Sequence, residues 1–291
     1  MSASRIPQPF VSVIIATRNR PRELRAALDC LKAQAYREFE VIVVDQSDQH
    51  VPLGADYRWV TAVVGEPTGA AAARNLGLKH AHGAVIIYVD DDVIIEAPTF
   101  LSEHVRVYQD PAVGAVCGRC IEVVKRRQWG GAPGIVAVLG LVTGAPESQV
   151  DCYVKNLKGA NMSFRRDVLV AAGGFDERFG APCMYEESDV AWKVRRLGFK
   201  IAYRSDAVLI HLGAPGGGQR AGDQKSNCRY LAYRDRVLLF VNNMPRYIFP
   251  LFLLGNLFLA LRPMLHFDFR STYLGLSGLT MGVRKYIWET K

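Results

Sequence analysis

Short apolar runs alternate with longer amphipathic stretches along this chain, and polar residues collect just after the apolar runs. Phe10–Ala16 reads as a first buried strand, Glu40–Val44 as a second and Trp59–Val64 as a third. Val85–Val89 continues the series, since an unbroken apolar run of this length suits a strand covered on both faces of a parallel sheet. Helical patterns lie between. Pro21 opens a helix in which Leu24, Leu28 and Leu31 recur at helical spacing, and Gly69–Ala81 is an alanine-rich second helix. Strands alternating with helices in this way predict a mostly parallel α/β sheet.

The second half is less regular. Pro98–Gln109 reads as a helix, followed by strands at Val113–Cys117 and Ile121–Val124. Residues 125–148 bring three basic residues, Trp129, and then many Gly, Pro and Ala, the pattern of a long functional loop. Asp151–Phe164 leads to a helix at Arg166–Ala172, and Gly173–Asp176 is a turn. Met184–Gly198 shows a helix start and stop: carboxylates crowd its first turn, Val190, Val194 and Leu197 share one face, and Gly198 ends it. Lys200–Tyr203 and Ala207–His211 read as two short strands before a flexible Gly213–Gly222 loop. Ser226–Asn243 is helical. Tyr247–Leu261 is almost wholly apolar between Arg246 and Arg262, yet shorter than the ~20 residues that span a bilayer. It reads as an interfacial helix, with a buried core helix and a tilted span as alternatives.

Polar residues follow three of the strands, at Thr17–Arg20, Asp45–Asp48 and Asp90–Asp92. Open α/β sheets bind ligands at that carboxyl edge. Three adjacent carboxylates repel one another, so a positive charge is expected among them. A hard divalent cation fits, with a solvated acidic turn as the bland alternative. No G-x-G-x-x-G follows the first strand, which removes a dinucleotide fingerprint.

Charge changes the picture at the C-terminus. Residues 1–219 hold 25 lysines and arginines against 24 acids, whereas residues 220–291 hold 11 against 4. The net charge of +8 therefore sits almost entirely in the apolar last quarter. That pairing suits an anionic membrane surface, and no nucleic-acid-binding motif accompanies it. The first apolar run is short and followed by T-R-N-R, unlike a secretory signal, so a cytoplasmic chain whose six cysteines are mostly thiols is expected. Cys117-Gly-Arg-Cys120 has metal-like spacing but also fits a strand.

Seven motifs in order carry a family resemblance: T-R-N-R at Thr17–Arg20, V-V-D-Q-S-D at Val43–Asp48, A-A-A-R-N-L-G-L at Ala71–Leu78, D-D-D at Asp90–Asp92, G-A-N-M-S-F-R-R at Gly159–Arg166, G-G-F-D-E-R-F at Gly173–Phe179, and E-E-S-D-V-A-W-K-V-R-R-L-G-F at Glu186–Phe199. The chain resembles family 2 glycosyltransferases with the GT-A fold from Val11 to His211, and more weakly to about Asn243. The resemblance implies a transferase domain over residues 1–219 and a helical, membrane-associating region over 220–291. It puts Mn²⁺ or Mg²⁺ on Asp90 and Asp92, with His211 as a third ligand or a structural histidine. Thr17, Arg20, Asp45, Arg74, Asp90 and Asp91 would hold the nucleotide of the donor, although Arg74 also reads as a surface arginine. Asn161, Glu186 and Trp192 would line the acceptor side.

The family commonly has Glu-Asp-x-Asp where this chain has Glu186-Glu187-Ser188-Asp189, so Glu187 is the expected base and Asp189 the alternative. The Q-x-x-R-W motif of processive synthases is absent from the sequence. That argues for addition of one sugar, as in the rhamnosyltransferase-type members, whose acceptors are commonly lipid-linked. The implied setting is the cytosolic face of the membrane, with inversion at the anomeric carbon. A catalytically inactive scaffold and a sugar-nucleotide nucleotidyltransferase are the competing readings.

Overall fold

A computed structural model describes residues 8–50, 52–123, 135–136, 141–142, 148–180, 185–218 and 224–288. Most of the expected 125–148 loop, Met184, and the end of the Gly213–Gly222 loop lie outside these residues. The first half follows its apolar pattern: β1 (Val11–Thr17), α1 (Pro21–Lys32), β2 (Phe39–Asp45), β3 (Val60–Val64), α2 (Ala70–His80) and β4 (Val85–Asp90). β1 lies between β2 and β4, with β3 beyond β2, and all four run parallel. Thr17, Asp45 and Asp90 consequently end their strands on one edge.

The chain continues through β5 (Val93–Ile94), α3 (Phe100–Arg106), β6 (Val113–Glu122), a small pair β7 (Ile135–Val136) and β8 (Leu141–Val142), then β9 (Cys152–Val154). β10 (Asn161–Arg165), α4 (Arg166–Ala171), α5 (Glu186–Arg196) and β11 (Lys200–His211) follow. The sheet order is β3-β2-β1-β4-β10-β6-β11-β5, with β9 added on β11. β10 is antiparallel to both β4 and β6, so β6 and β11 again point their C-terminal ends to the edge holding Asp90.

β10 is the largest departure from the sequence reading, which treated Asp151–Phe164 only as the approach to a helix. Asn161 and Ser163 interrupt its apolar pattern, yet both are fully buried. His104 explains how: its Nδ1 meets Ser163 Oγ at 2.9 Å and its Nε2 meets Asn161 Oδ1 at 2.9 Å. Buried polar side chains need such partners, and here one histidine supplies both. Burial drops the His104 pKa to about 4, so the ring is neutral and donates from one nitrogen only.

The two short strands expected over 200–211 are one strand, as are the two expected near 113–124. In β11 the register against β6 shifts between Arg204 and Val208. The polar residues of this stretch find partners far away along the chain. Arg204 pairs with Glu103 at 2.7 Å and with Asp151, while Asp151 Oδ1 accepts from Ser205 N and Oγ, both at 2.8 Å.

Two apolar cores cover the faces of the sheet, one under α1 and α3 and the other under α2, α4 and α5. A third lies among α6 (Gln224–Asn243), α7 (Phe249–Leu261) and α8 (Phe269–Val283), and includes Phe179 from the preceding region. The sequence resolves no separate helix over 269–283 within the expected helical region, and glycines dilute the apolar face there. Those glycines let helices touch: a Cβ on Gly278 would lie 2.1 Å from Tyr230 O of α6.

Candidate active site

At the end of β4 the side chains alternate. Asp91 turns into the protein, where it accepts from Thr17 Oγ1 at 2.7 Å and Arg20 Nη1 at 2.9 Å. Asp90 and Asp92 turn the other way, toward His211 at the end of β11. His211 Nε2 lies 3.3 Å from Asp92 Oδ1 and 3.7 Å from Asp90 Oδ2. Asp92 Oδ2 accepts from Ala214 N at 2.8 Å and meets Arg20 Nη1 at 3.2 Å. Asp92 Oδ1 is buried without a well-formed hydrogen bond among the described residues. Donor atoms of Asp90, Asp92 and His211 all lie within 4.8 Å of one another. Two carboxylates and an imidazole at that separation fit a single divalent cation such as Mn²⁺ or Mg²⁺.

The electrostatics match this arrangement. Burial pushes Asp91 up to about 7 despite Arg20 and Thr17. Burial also opposes ionisation of Asp92, but His211, Arg20 and the Ala214 N–H outweigh it and hold its carboxyl below the ordinary range. His211 loses basicity by burial and regains more from Asp92, Glu122 and Asp90, which carry it up to about 10. An imidazolium thus balances the acids, and a cation there would take over its role.

Arg20 also ties down the segment after β11. Its Nε donates to Gly216 O at 2.8 Å and its Nη2 to Ala214 O at 3.0 Å, while Gly218 N bonds Arg18 O at 2.7 Å. A Cβ on Gly217, whose φ is +60°, would sit 2.6 Å from Arg20 Cγ.

Arg74 bridges to the far wall. Its guanidinium is buried, donates to Glu186 Oε1 at 2.7 Å and Gly159 O at 3.3 Å, and lies 3.6 Å from Asp90 Oδ1. Glu186 and Glu187 open α5, where the helix N-terminus favours negative charge. Burial disfavours ionisation of both. Arg74 resolves the competition: Glu186 stays below the usual carboxylate range, and Glu187, beside that charge, is pushed above it. Lys158 and Cys117 also feel the charge of Glu187.

Three candidates stand apart from this cluster. Asp189 is fully buried where α5 packs on α6, with Lys193 2.8 Å away and Asn242 and Asn243 donating at 2.9 and 2.8 Å. Asn161 is also fully buried, with Nδ2 donating to Arg119 O and Ala207 O, both at 2.9 Å, and Oδ1 committed to His104. Trp192 stacks under Arg195 at 5.2 Å. Asp45 lies at the end of β2, accepts from Ser47 N at 2.9 Å and contacts His50 at 3.0 Å. It lines a small cavity with Thr17, Asn19, Arg25 and Ser47.

Two residues at the site escaped the sequence reading. Glu122 ends β6 and meets His211 Nδ1 at 2.8 Å, and Lys158 meets Glu122 at 2.5 Å. Glu122 was folded into an expected strand at Ile121–Val124. The signal that marked Asp45 and Asp90, an acid at the end of an apolar run, marks Glu122 equally.

Residues 12–169, more than half of the chain, match Glycosyl transferase family 2. Among curated relatives, the O-antigen chain rhamnosyltransferase RfbN of Salmonella typhimurium is 26% identical over 218 residues, covering 69% of this chain and 66% of that protein. The O-antigen biosynthesis protein RfbC of Myxococcus xanthus is 27% identical over 223 residues, 70% of this chain but 17% of its own length. The chain thus spans less than two thirds of each relative. The mannosyltransferase PcManGT of Pyrobaculum calidifontis, solved with GDP-Man and Mn²⁺, superposes with a TM-score of 0.58 at 20% identity, covering 98% of this chain and 89% of that one. The shared sheet and its flanking helices are the GT-A fold, and the chain belongs to glycosyl transferase family 2.

Proposed function

We propose that this protein is an inverting, metal-dependent, non-processive glycosyltransferase of surface polysaccharide synthesis. It moves one sugar from a nucleotide-diphosphate donor to a hydroxyl of a lipid-linked glycan. The observation that carries this reading is the meeting, at one sheet edge, of the Asp90–Asp92–His211 donor set with the Arg74–Glu186–Glu187 group. The O-antigen relatives and the Mn²⁺-bound mannosyltransferase support it.

Transfer breaks the bond between the anomeric carbon and the diphosphate, and forms a glycosidic bond from the opposite face. Asp90, Asp92 and His211 would hold a divalent cation, which would supply Lewis-acid stabilisation of the charge developing on the leaving diphosphate. Asp45 recognises the base from the end of β2. Arg20, oriented by Asp91, which Thr17 in turn holds, and Arg74, beside Asp90, add positive charge along the nucleotide. Arg20 also holds residues 214–216 against the donor side, where they keep out water. Glu187 takes the proton of the attacking hydroxyl. Asp189, buried against Lys193 and two asparagines, is the weaker choice. The direct test is NMR of the product formed from an α-linked donor: a β-linkage supports the single displacement, and retention contradicts it.

A raised Glu187 makes the rate sensitive to pH. The base works deprotonated, so turnover should climb as pH rises through a limb above the ordinary glutamate range. Burial sets its position first, then the charge of Glu186, which raises it, against that of Arg74, which lowers it. A flat profile from pH 5 to 9 would remove Glu187 from the role.

The same reading places residues 220–291 on an anionic bilayer at its cytosolic face. By length and composition, Arg246–His266 is apolar enough to cross a membrane, and only 17% of its most apolar window is buried. One side of α7 is held inside, with Phe252 and Ala260 fully buried. The other exposes Leu251, Leu254 and Phe258, and Leu265, Phe267 and Phe269 extend that surface beside exposed Arg246, Arg262 and Arg270. Such one-sided exposure favours lying in the interface over spanning it. Replacing Leu254 and Phe258 together by glutamate should weaken sedimentation with phosphatidylglycerol vesicles at least ~10-fold. Equal binding by the double variant would move the contact elsewhere.

A further inference from the structure

Behind His211 lie two side chains that the reaction above does not use. Glu122 and His211 are register partners at the ends of β6 and β11. The Glu122 carboxylate takes the Nδ1 side of the ring at 2.8 Å, opposite the Nε2 that faces Asp92 at 3.3 Å. Its second oxygen meets Lys158 Nζ at 2.5 Å. Lys158 comes from the turn before β10, where its carbonyl accepts from Asn161 N at 2.9 Å.

An imidazole presents an Nε2 lone pair to a cation only when the remaining proton is on Nδ1, and a carboxylate accepting that proton fixes both tautomer and ring plane. We propose that Glu122 and Lys158 are positioning residues: Glu122 holds His211 Nε2 toward the Asp90–Asp92 cation, and Lys158 pins Glu122 in place. This rests on the metal reading above. Cys120, Glu122 and His211 also lie close enough to share an ion. An ion there would displace the Nδ1–Glu122 hydrogen bond and sit beside the Lys158 ammonium, a like charge. Glu122 therefore serves His211 from behind instead of binding the ion itself.

The test is calorimetric titration of the full chain with MnCl₂, together with pulsed EPR of the bound Mn²⁺ to read ¹⁴N coupling from a ligating histidine. Wild type should bind Mn²⁺ with ¹⁴N coupling. Glu122→Ala should bind roughly 10–100-fold more weakly and lose most of that coupling. Lys158→Ala should weaken binding by a smaller factor, and Lys158→Arg should restore it, which decides the matter if Glu122→Ala does not fold. A merely structural role would lower the melting temperature of the metal-free variants and leave the coupling of the folded protein intact. Wild-type affinity and coupling in Glu122→Ala or in Lys158→Ala would overturn the proposal alone. Absence of Mn²⁺ binding by the wild type would overturn it together with the metal reading.

Discussion

Asp92→Asn is expected to lower sugar transfer by roughly 10²–10⁴-fold, the several kcal/mol that a bound metal contributes to a developing charge. The substitution keeps the size of the side chain and an oxygen for the Ala214 N–H, so the turn after β4 should survive. What it removes is charge. Asp92 is buried and shares its negative charge between Arg20, at 3.2 Å, and His211, at 3.3 Å. With an amide there, the donor set falls to one carboxylate and one imidazole. Steady-state transfer assays across a Mn²⁺ series check this: the variant should need far more metal and still not recover the wild-type rate. Full recovery at modest Mn²⁺ would show that Asp92 is not a ligand that matters to the reaction.

The second large effect belongs to Glu187→Gln. Loss of a positioned base typically costs 10²–10⁴-fold, and here the loss should fall on kcat while donor affinity stays near the wild-type value. A stability measurement separates this from misfolding, and its sign follows from linkage. Burial and the neighbouring Glu186 push Glu187 above the ordinary glutamate range, so its ionised form is disfavoured in the folded state. The folded protein therefore loses stability as pH rises from the unfolded value through the raised one. Glutamine removes that cost. The variant should melt at or above the wild-type temperature at neutral and alkaline pH, a stability gain coupled to lost activity. A marked fall in melting temperature with equal loss of donor binding would instead assign Glu187 to the fold.

Sequence legibility tracked how each element is solvated. Val85–Val89 was readable because a strand covered on both faces leaves an unbroken apolar run, and the acids beyond it had to lie at the edge. β10 is just as buried but unreadable, since Asn161 and Ser163 are satisfied by a histidine 57 and 59 residues away. The single strand β11 looked like two for a related reason: Arg204 and Ser205 find Glu103 and Asp151 at long range.

At the site, the motif order named the family, while periodicity alone separates Glu187 from Asp189. Residues two apart on a helix face nearly opposite ways, so both could not reach one substrate. Asn161 was drawn into the acceptor side by its motif, yet its amide is wholly occupied within the sheet. Glu122 carries the same sign as Asp45 and Asp90, an acid at the end of an apolar run, but Lys158 left no trace, because its significance lies in its pairing with Glu122 far away along the chain. The exposed face of α7 was foreshadowed by composition, but which side packs inward depends on contacts with α6 and α8.

The central claim is that this sheet edge binds a nucleoside diphosphate through a cation held by Asp90 and Asp92. Calorimetric titration with UDP, dTDP and GDP, each in Mn²⁺ and in EDTA, tests it on wild type and Asp92→Asn. One nucleotide is expected to bind in Mn²⁺, EDTA to abolish the binding, and the variant to lose it under both conditions. Binding of none of the three in Mn²⁺, or equal binding in EDTA, would contradict it.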